Sequence, residues 1–267
     1  MATGRDDKPT AIDKALALLV LLGERARTGP LRLSEIVELT GYSKPTAHRL
    51  LTILREHGFV SLDPETHRYE LGAKVLVLAS QYRGSLDPAA KALPALRALA
   101  HQASATVHMG ILDGIGAVYI EKVESDQSIR LASHVGQRAP LHCSGIGKVL
   151  LAHAGPDVLE AVIAAGLDRR TPRTLTCRTA LCQALESVRT QGFALDDQEH
   201  ETGIRCVAAP IRDHRGEVVA AISISGTLDQ VPQDTVDGQV GRLLDAARGI
   251  SAMLGFPGDH TAVYQTG

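Results

Sequence analysis

From its start the chain carries apolar residues at helical spacing. Ile12, Ala15, Leu16, Leu19 and Leu22 predict one face of a helix that Gly23 helps to end. After Gly29 and Pro30, Leu33 precedes Ser34, a residue type suited to an N-cap. Ile36, Val37 and Leu39 then predict a second helix stopped by Gly41. Ser43 caps a third helix with Pro45 in its first turn, where a missing N–H breaks no hydrogen bond, and Ala47, Leu50, Leu51 and Leu54 form its buried stripe. Past Gly58 the pattern changes to strand, turn and strand over 59–62, 63–66 and 67–71.

Two short helices joined by a Gly-containing turn and followed by a hairpin make a winged helix-turn-helix. The third helix opens with Ser43, Lys44, Thr46, His48 and Arg49, with Thr52 also facing outward. Short polar and basic side chains at a helix N-terminus suit a DNA major groove, about 12 Å wide and edged with hydrogen-bonding groups. Lys44 and Arg49 are the candidate phosphate or base contacts, and Arg68 on the wing is placed to touch the adjacent backbone.

The remaining chain reads differently. A helix over 73–83 links to another over 89–103. Strands follow at 106–112 and 117–124 around an Asp113-Gly114-Ile115-Gly116 turn, with a further strand at 128–133. Helices are expected at 145–154, 157–166 and 179–191, strands at 192–195, 206–212 and 217–225, and a last helix at 233–254. An antiparallel sheet flanked by helices, an α+β sensor-type unit, is the economical architecture.

Composition narrows the function. With 267 residues, 44% hydrophobic and 22% charged, the chain is globular. A net charge of −2 supplies no overall attraction to nucleic acid, so any basic surface is local. Residues 1–83 hold 12 Lys and Arg against 10 Asp and Glu, whereas the rest holds 16 against 20, so the positive excess sits on the first unit. The apolar stretch 15–23 is too short to cross a membrane, and the leader before it mixes charges of both signs, which points to a cytoplasmic protein. Four scattered cysteines do not form a disulfide framework. Cys-x-x-Cys, His-Glu-x-x-His and phosphate-loop signatures do not occur. Absence of Trp and an aromatic share of 3% argue against base stacking on single strands.

Candidate binding chemistry falls in the second unit. Ser144 leads a Gly145-Ile146-Gly147 helix start, where free N–H groups and the helix dipole suit a carboxylate, or where Ser144 is simply a cap. Alternation puts Ser223 and Ser225 on one strand face with Val219 and Ala221, while Val218, Ala220, Ile222 and Ile224 face the other way. Cys206 shares a face with Ile204 and Ala208, and Asp196, Asp197, Glu199, His200 and Glu201 precede it.

Four motifs, in order, resemble the IclR family of bacterial transcription regulators. They are Ser43-x-x-Thr46-x-x-Arg49-Leu50-Leu51, Arg138-x-Pro140-Leu141-His142-x-Ser144-Gly145-x-Gly147-Lys148, Gly203-x-Arg205-Cys206-x-Ala208-Ala209-Pro210-Ile211 and Ala221-Ile222-Ser223-Ile224-Ser225-Gly226. The resemblance spans 11–254. It implies a winged helix-turn-helix over 11–72, a linker helix over 73–86 and a GAF-like effector-binding domain over 87–254; outside it, 1–10 is expected to be a loose tail, and 255–267, with Gly255, Pro257 and Gly258, a flexible one. Dimers or pairs of dimers on double-stranded palindromic operators are implied, with no catalysis and no cofactor. The family's effector pocket maps to Leu131, Ala139, Gly145, Ile146, Asp196, Ile204, Cys206, Ser223 and Ser225, with Ser144 at the helix start. Ile146 is larger than the residue common at its position, and an ionised Asp196 would repel an anion, so it is expected to donate as the acid, meet a hydroxyl or face water.

Two other readings compete. Cys206 or Cys143 with His142 or His200 and Asp196 has the residue types of a thiol enzyme acting on small acids. His142, Cys143, Cys206 and Asp196 could hold zinc, although their spacing carries no zinc signature. His67, His101, His108, His134, His153, His214 and His260 read as isolated, and the 169–173 basic run as a solvated loop.

Overall fold

The computed structural model describes residues 9–25, 29–85, 87–125 and 131–257, in two compact units, Met1–Leu86 and Asp87–Gly267. The loose tails expected at 1–10 and 255–267 lie mostly outside the described residues, and His260 lies wholly outside them.

The first unit runs α1 (Ala11–Arg25), β1 (Leu31–Arg32), α2 (Leu33–Thr40), α3 (Lys44–Glu56), β2 (Val60–Leu62), β3 (Arg68–Leu71) and α4 (Ala73–Ser85). Its core joins Leu18 and Leu22 of α1 to Ile36, Leu50, Leu51, Leu54, Val60 and Tyr69. The buried face of α1 is rotated from the one its spacing predicts: Ile12 and Leu16 are exposed, and Leu18 lies inside with Leu22. Positions 15–22 are apolar almost throughout, so periodicity alone does not choose the face. Packing against α3 and β3 does. In α3, by contrast, Ala47, Leu50, Leu51 and Leu54 are all buried, as their spacing predicts.

The N-cap of helix α2 is Arg32, two residues before the expected Ser34. Leu31 and Arg32 pair with Tyr69 and Arg68, which adds a third strand to the wing in the order β1-β3-β2. The Arg32 N–H, freed at the helix start, donates to Glu35 Oε2 at 2.6 Å. Gly41 closes α2 in the left-handed region, φ 67°, donating to Val37 O.

The second unit runs α5 (Asp87–Ala103), β4 (Thr106–Asp113), β5 (Gly116–Val123), β6 (Arg138–Pro140), α6 (Gly145–His153), α7 (Pro156–Ala165), α8 (Arg178–Gln191), β7 (Ala194–Asp197), β8 (Ile204–Arg212), β9 (Val218–Thr227), a 3-10 turn (Gln233–Thr235) and α9 (Val236–Met253). Its six strands form an antiparallel sheet in the order β6-β5-β4-β9-β8-β7. On one face α6 and α8 enclose Ala117, Ala194, Ala208 and Ala221 with Ile146, Leu181 and Leu185. Val207, Ile222 and Ile224 point to the other face, where α5 and α9 pack.

Strands β8 and β9 run two residues beyond expectation, to Ile204 and Thr227, and three other strands differ more in kind. The one expected at 192–195 starts at Ala194, because Gly192 takes φ 81° and caps α8 by donating to Val188 O. The short β6, for which three residues give no alternation to read, pairs with β5. The expected strand at 128–133 falls partly outside the described residues, and its described part is irregular. There the carbonyls of Leu131 and Ser133 both accept from Lys122 Nζ at 2.8 Å, in place of a ladder.

Candidate functional site

Two places in the molecule gather chemistry, one in each unit. In the first, Lys44, His48 and Arg49 stand exposed on α3, with Thr46 and Thr52 half-buried beside them. Ser43 Oγ lies 2.8 Å from Thr46 Oγ1, so the two hydroxyls order each other at the helix start. Thr52 Oγ1 donates back to His48 O. Lys44 lines a groove of about 790 Å³ whose other walls are the α2 start, with Arg32 and Ser34, and the wing tip, with Thr66, His67 and Arg68. Asp63 shapes that tip: its Oδ1 accepts the N–H of Glu65 and its Oδ2 accepts Thr66 Oγ1, and the Thr66 hydroxyl chiefly holds its pKa down. Arg68 is turned toward the scaffold, its Nη1 donating to Pro30 O at 2.7 Å and lying 3.3 Å from Glu35 Oε2.

In the second unit, strand register aligns polar side chains across the sheet. Thr106, Ser225, Cys206 and Asp196 oppose one another in a row over β4, β9, β8 and β7. His108 and Ser223 are paired two residues along. Ser223 Oγ is 3.2 Å from Ser225 Oγ. A cavity of about 80 Å³ sits against this surface. Cys206, Ser225, His108 and Tyr119 line it, Leu131 and Ile204 give apolar wall, and Ser133, Gln137, His200 and Glu201 complete the polar part. Among the described lining residues none is Lys or Arg.

Helix α6 starts against the same surface because its first residue lacks a side chain: a Cβ on Gly145 would lie 3.3 Å from Ala208 Cβ and 3.5 Å from Cys206 Cβ. Gly147 permits a closer approach still, since its Cβ would fall 2.3 Å from Pro140 O. Ser144 Oγ donates to Pro140 O and accepts the Gly147 N–H, so its hydroxyl serves the cap and the turn before it. The N–H groups of Gly145 and Ile146, first-turn donors without intrahelical acceptors, are not taken by the Ser144 hydroxyl. Ile146 fits by laying its Cγ2 on β4, where a Cβ on Gly110 would be only 3.0 Å away. Ala139 pairs with Ala117 in the core beside it.

Asp196 is buried, with Oδ1 accepting the N–H groups of Glu199 at 2.8 Å and His200 at 3.3 Å. Burial pushes its pKa up to about 7, against the opposing pull of Lys148. Lys148, itself buried on α6, donates to Leu195 O at 2.6 Å and pairs with Glu199.

The structure thus brings Leu131, Ile204, Cys206 and Ser225 to one cavity, sets Ser223, Asp196 and Gly145 next to those residues, and leaves Ser144, Ile146 and Ala139 in supporting positions. His108, read as isolated from the sequence, stands inside it. Sequence spacing held no signal for His108 or Tyr119, because they meet only through strand pairing. Burial raises the pKa of Cys143 to about 12 and drives that of Cys206 upward as well, which opposes the thiolate a nucleophile needs. His142 Nε2 lies 3.1 Å from Asp168 O. No group of three or more His, Cys, Asp or Glu among the described residues is arranged to hold a metal ion. Nor is any described helix long and apolar enough to cross a membrane.

Comparison with known proteins bears on both places. A model described as the IclR helix-turn-helix domain matches residues 11–64, and one described as the bacterial transcriptional regulator IclR C-terminal matches residues 80–252. The HTH-type transcriptional regulator XynR of Escherichia coli (strain K12) is 38% identical over 248 residues, which cover 92% of this chain and 98% of that protein. The crystal structure of Thermotoga maritima IclR matches with a TM-score of 0.75 and 32% identity, covering 92% of this chain and 98% of that one. An IclR homologue from Microbacterium hydrocarbonoxydans, crystallised with 4-hydroxybenzoate, matches with a TM-score of 0.79 and 27% identity over 90% of this chain and 98% of that one.

Proposed function

Because this chain belongs to the IclR family of bacterial transcriptional regulators, we propose that it binds a specific operator through α3 and the wing and that a small organic acid in the second unit modulates this binding. The family assignment itself carries the DNA-binding role and the division into a helix-turn-helix and an effector domain. The contacts proposed for the duplex are Ser43, Lys44, Thr46, His48 and Arg49, with Arg68 at the wing. A helix-turn-helix reads half-sites one helical turn apart, about 34 Å, which calls for a dimer or a pair of dimers on a palindrome. The protein acts in the cytoplasm and performs no catalysis.

The observation that carries the effector proposal is the partly open cavity of mixed polar and apolar lining that shares Cys206 with the packing of the α6 start. An anion there is met by the first-turn N–H groups of Gly145 and Ile146 and by the helix dipole. Asp196, with its pKa at about 7, is present in good part as the neutral acid, able to donate where an ionised carboxylate would repel. At about 80 Å³ the cavity is far below the roughly 300 Å³ typical of sites for drug-sized ligands, which, of the 2-oxo acid and sugar-acid types considered, favours the smaller 2-oxo acids. A bound 4-hydroxybenzoate in a structural relative supports an acid as the ligand class. The effector acts by linkage: it favours one arrangement of the dimer, and so one spacing of the paired α3 helices.

A thermal-shift screen of short carboxylates on the full-length protein, followed by operator titration with each stabilising acid, tests this. A rise in melting temperature accompanied by a change in operator affinity is expected. Acids that stabilise the protein yet leave operator affinity untouched would defeat the coupling.

A further inference from the structure

His108 is 2% exposed and lines the cavity. Its ring lies over Tyr119 with centroids 4.7 Å apart and planes 27° from parallel. Nε2 is 2.8 Å from Ser133 Oγ. Nδ1 is buried and has no hydrogen-bond partner among the described residues. A buried polar atom left unpaired is destabilising, and the stack on Tyr119 would be served as well by a phenyl ring. The packing of the ring leaves that nitrogen's hydrogen-bonding capacity unused.

The charge state of the ring narrows what can use it. Burial, with Lys122 adding to it, lowers the imidazole pKa to about 3, so the ring is neutral in the cell's pH range. Lys122 is not itself available to a ligand carboxylate. It donates to Leu131 O and Ser133 O and pairs with Glu124 at 2.7 Å. A neutral imidazole has one donor and one acceptor nitrogen. The Ser133 hydroxyl can play either part toward Nε2, and Nδ1 then offers the other. A ligand hydroxyl, which both donates and accepts, satisfies either arrangement. A carboxylate or keto oxygen only accepts, and satisfies one. Tyr119, Gln137 and Ser225 add further uncharged polar groups to the same cavity.

We propose that His108 is a specificity-determining residue of the effector site and that its Nδ1 binds a hydroxyl of the ligand, so that the cavity prefers short hydroxy acids to their unsubstituted counterparts. This rests on the reading of the cavity as the effector site, and it selects within the acids considered there. The carboxylate goes to the α6 start and the hydroxyl to β4.

Calorimetric titration of the full-length protein compares glycolate with acetate, and lactate and glycerate with propionate. The hydroxy acids are expected to bind about two- to tenfold tighter, the worth of one net hydrogen bond. In His108→Phe that ratio falls to near one, whatever the change in absolute affinity for acetate and propionate. His108→Gln, which keeps a donor and an acceptor, retains part of the preference. Should the Phe variant fail to fold, ¹⁵N-histidine spectra of the unaltered protein give the same information: glycerate shifts the His108 Nδ1 resonance and propionate does not. Equal binding of both series, with operator affinity responding to both, overturns the role of His108 and leaves the effector reading intact. Failure of every acid to change operator affinity overturns the effector reading and the role of His108 with it.

Discussion

Asp196 and Cys206 stand directly opposite each other on β7 and β8, and burial holds both toward their protonated forms. For Asp196 the pKa rises from an ordinary 3.8 to about 7. Folding therefore favours its acid form. The stability this contributes is complete below about pH 4 and is lost as pH climbs through about 7. Asp196→Asn keeps an oxygen for the Glu199 and His200 N–H groups and removes the titration. Thermal melts at pH 5 and pH 8 should show the variant losing less stability across that interval than the parent. Effector affinity follows the same sign, weakening in the parent above pH 7 and staying level in the variant. Parallel pH profiles for the two proteins would assign the titration elsewhere.

Gly147→Ala should be among the costliest small changes in the second unit. Its Cβ would sit 2.3 Å from Pro140 O and 2.7 Å from Leu141 Cα, both backbone atoms that cannot swing aside. A loss of about 3 kcal/mol is expected from the forced shift. Gly249→Ala on α9 is the contrast, since nothing lies within 4 Å of its Cβ position. There a gain of about 1 kcal/mol is expected from helix propensity. Denaturant midpoints of the two variants should move in opposite directions.

Lys44→Ala and Arg49→Ala should weaken operator binding without lowering the melting temperature, because both side chains are exposed. If each neutralises one phosphate, each variant should also flatten the plot of log affinity against log salt by about 1. Fluorescence anisotropy at several salt concentrations gives both quantities. Unchanged affinity and slope in the double variant would remove α3 from the interface.

Leu51→Ala hollows the first core at a side chain with no exposure and should cost about 2–5 kcal/mol. Operator binding is expected to fail at temperatures where acid binding persists, since the cavity is built wholly from residues of the other unit. Simultaneous loss of both would mean that the two units fold as one.

How far the sequence could be read depended on whether a residue's partners are near it in the chain. The α3 stripe was legible because four apolar residues at helical spacing leave one way to bury them. On α1 there were too many apolar residues, and Leu18 displaced Ile12 from the expected face. Ser223 and Ser225 were legible from alternation within β9, and they do share a face. The row joining Thr106, Ser225, Cys206 and Asp196 was not, because it depends on strand order and register, which no local pattern encodes. The same holds for His108 and Tyr119, which lie on different strands and become a pair only when β4 and β5 fold together. Two-residue β1 and three-residue β6 were too short to alternate visibly.

The hold that Arg68 takes on Pro30 O and Glu35, together with the pairing of β1 to β3, fastens the hairpin to the very segment from which α2 starts. On the proposed reading, a duplex arriving at this surface meets a mould already cast. Little ordering entropy is lost when it seats, and the speed of capture is governed by encounter geometry and long-range charge.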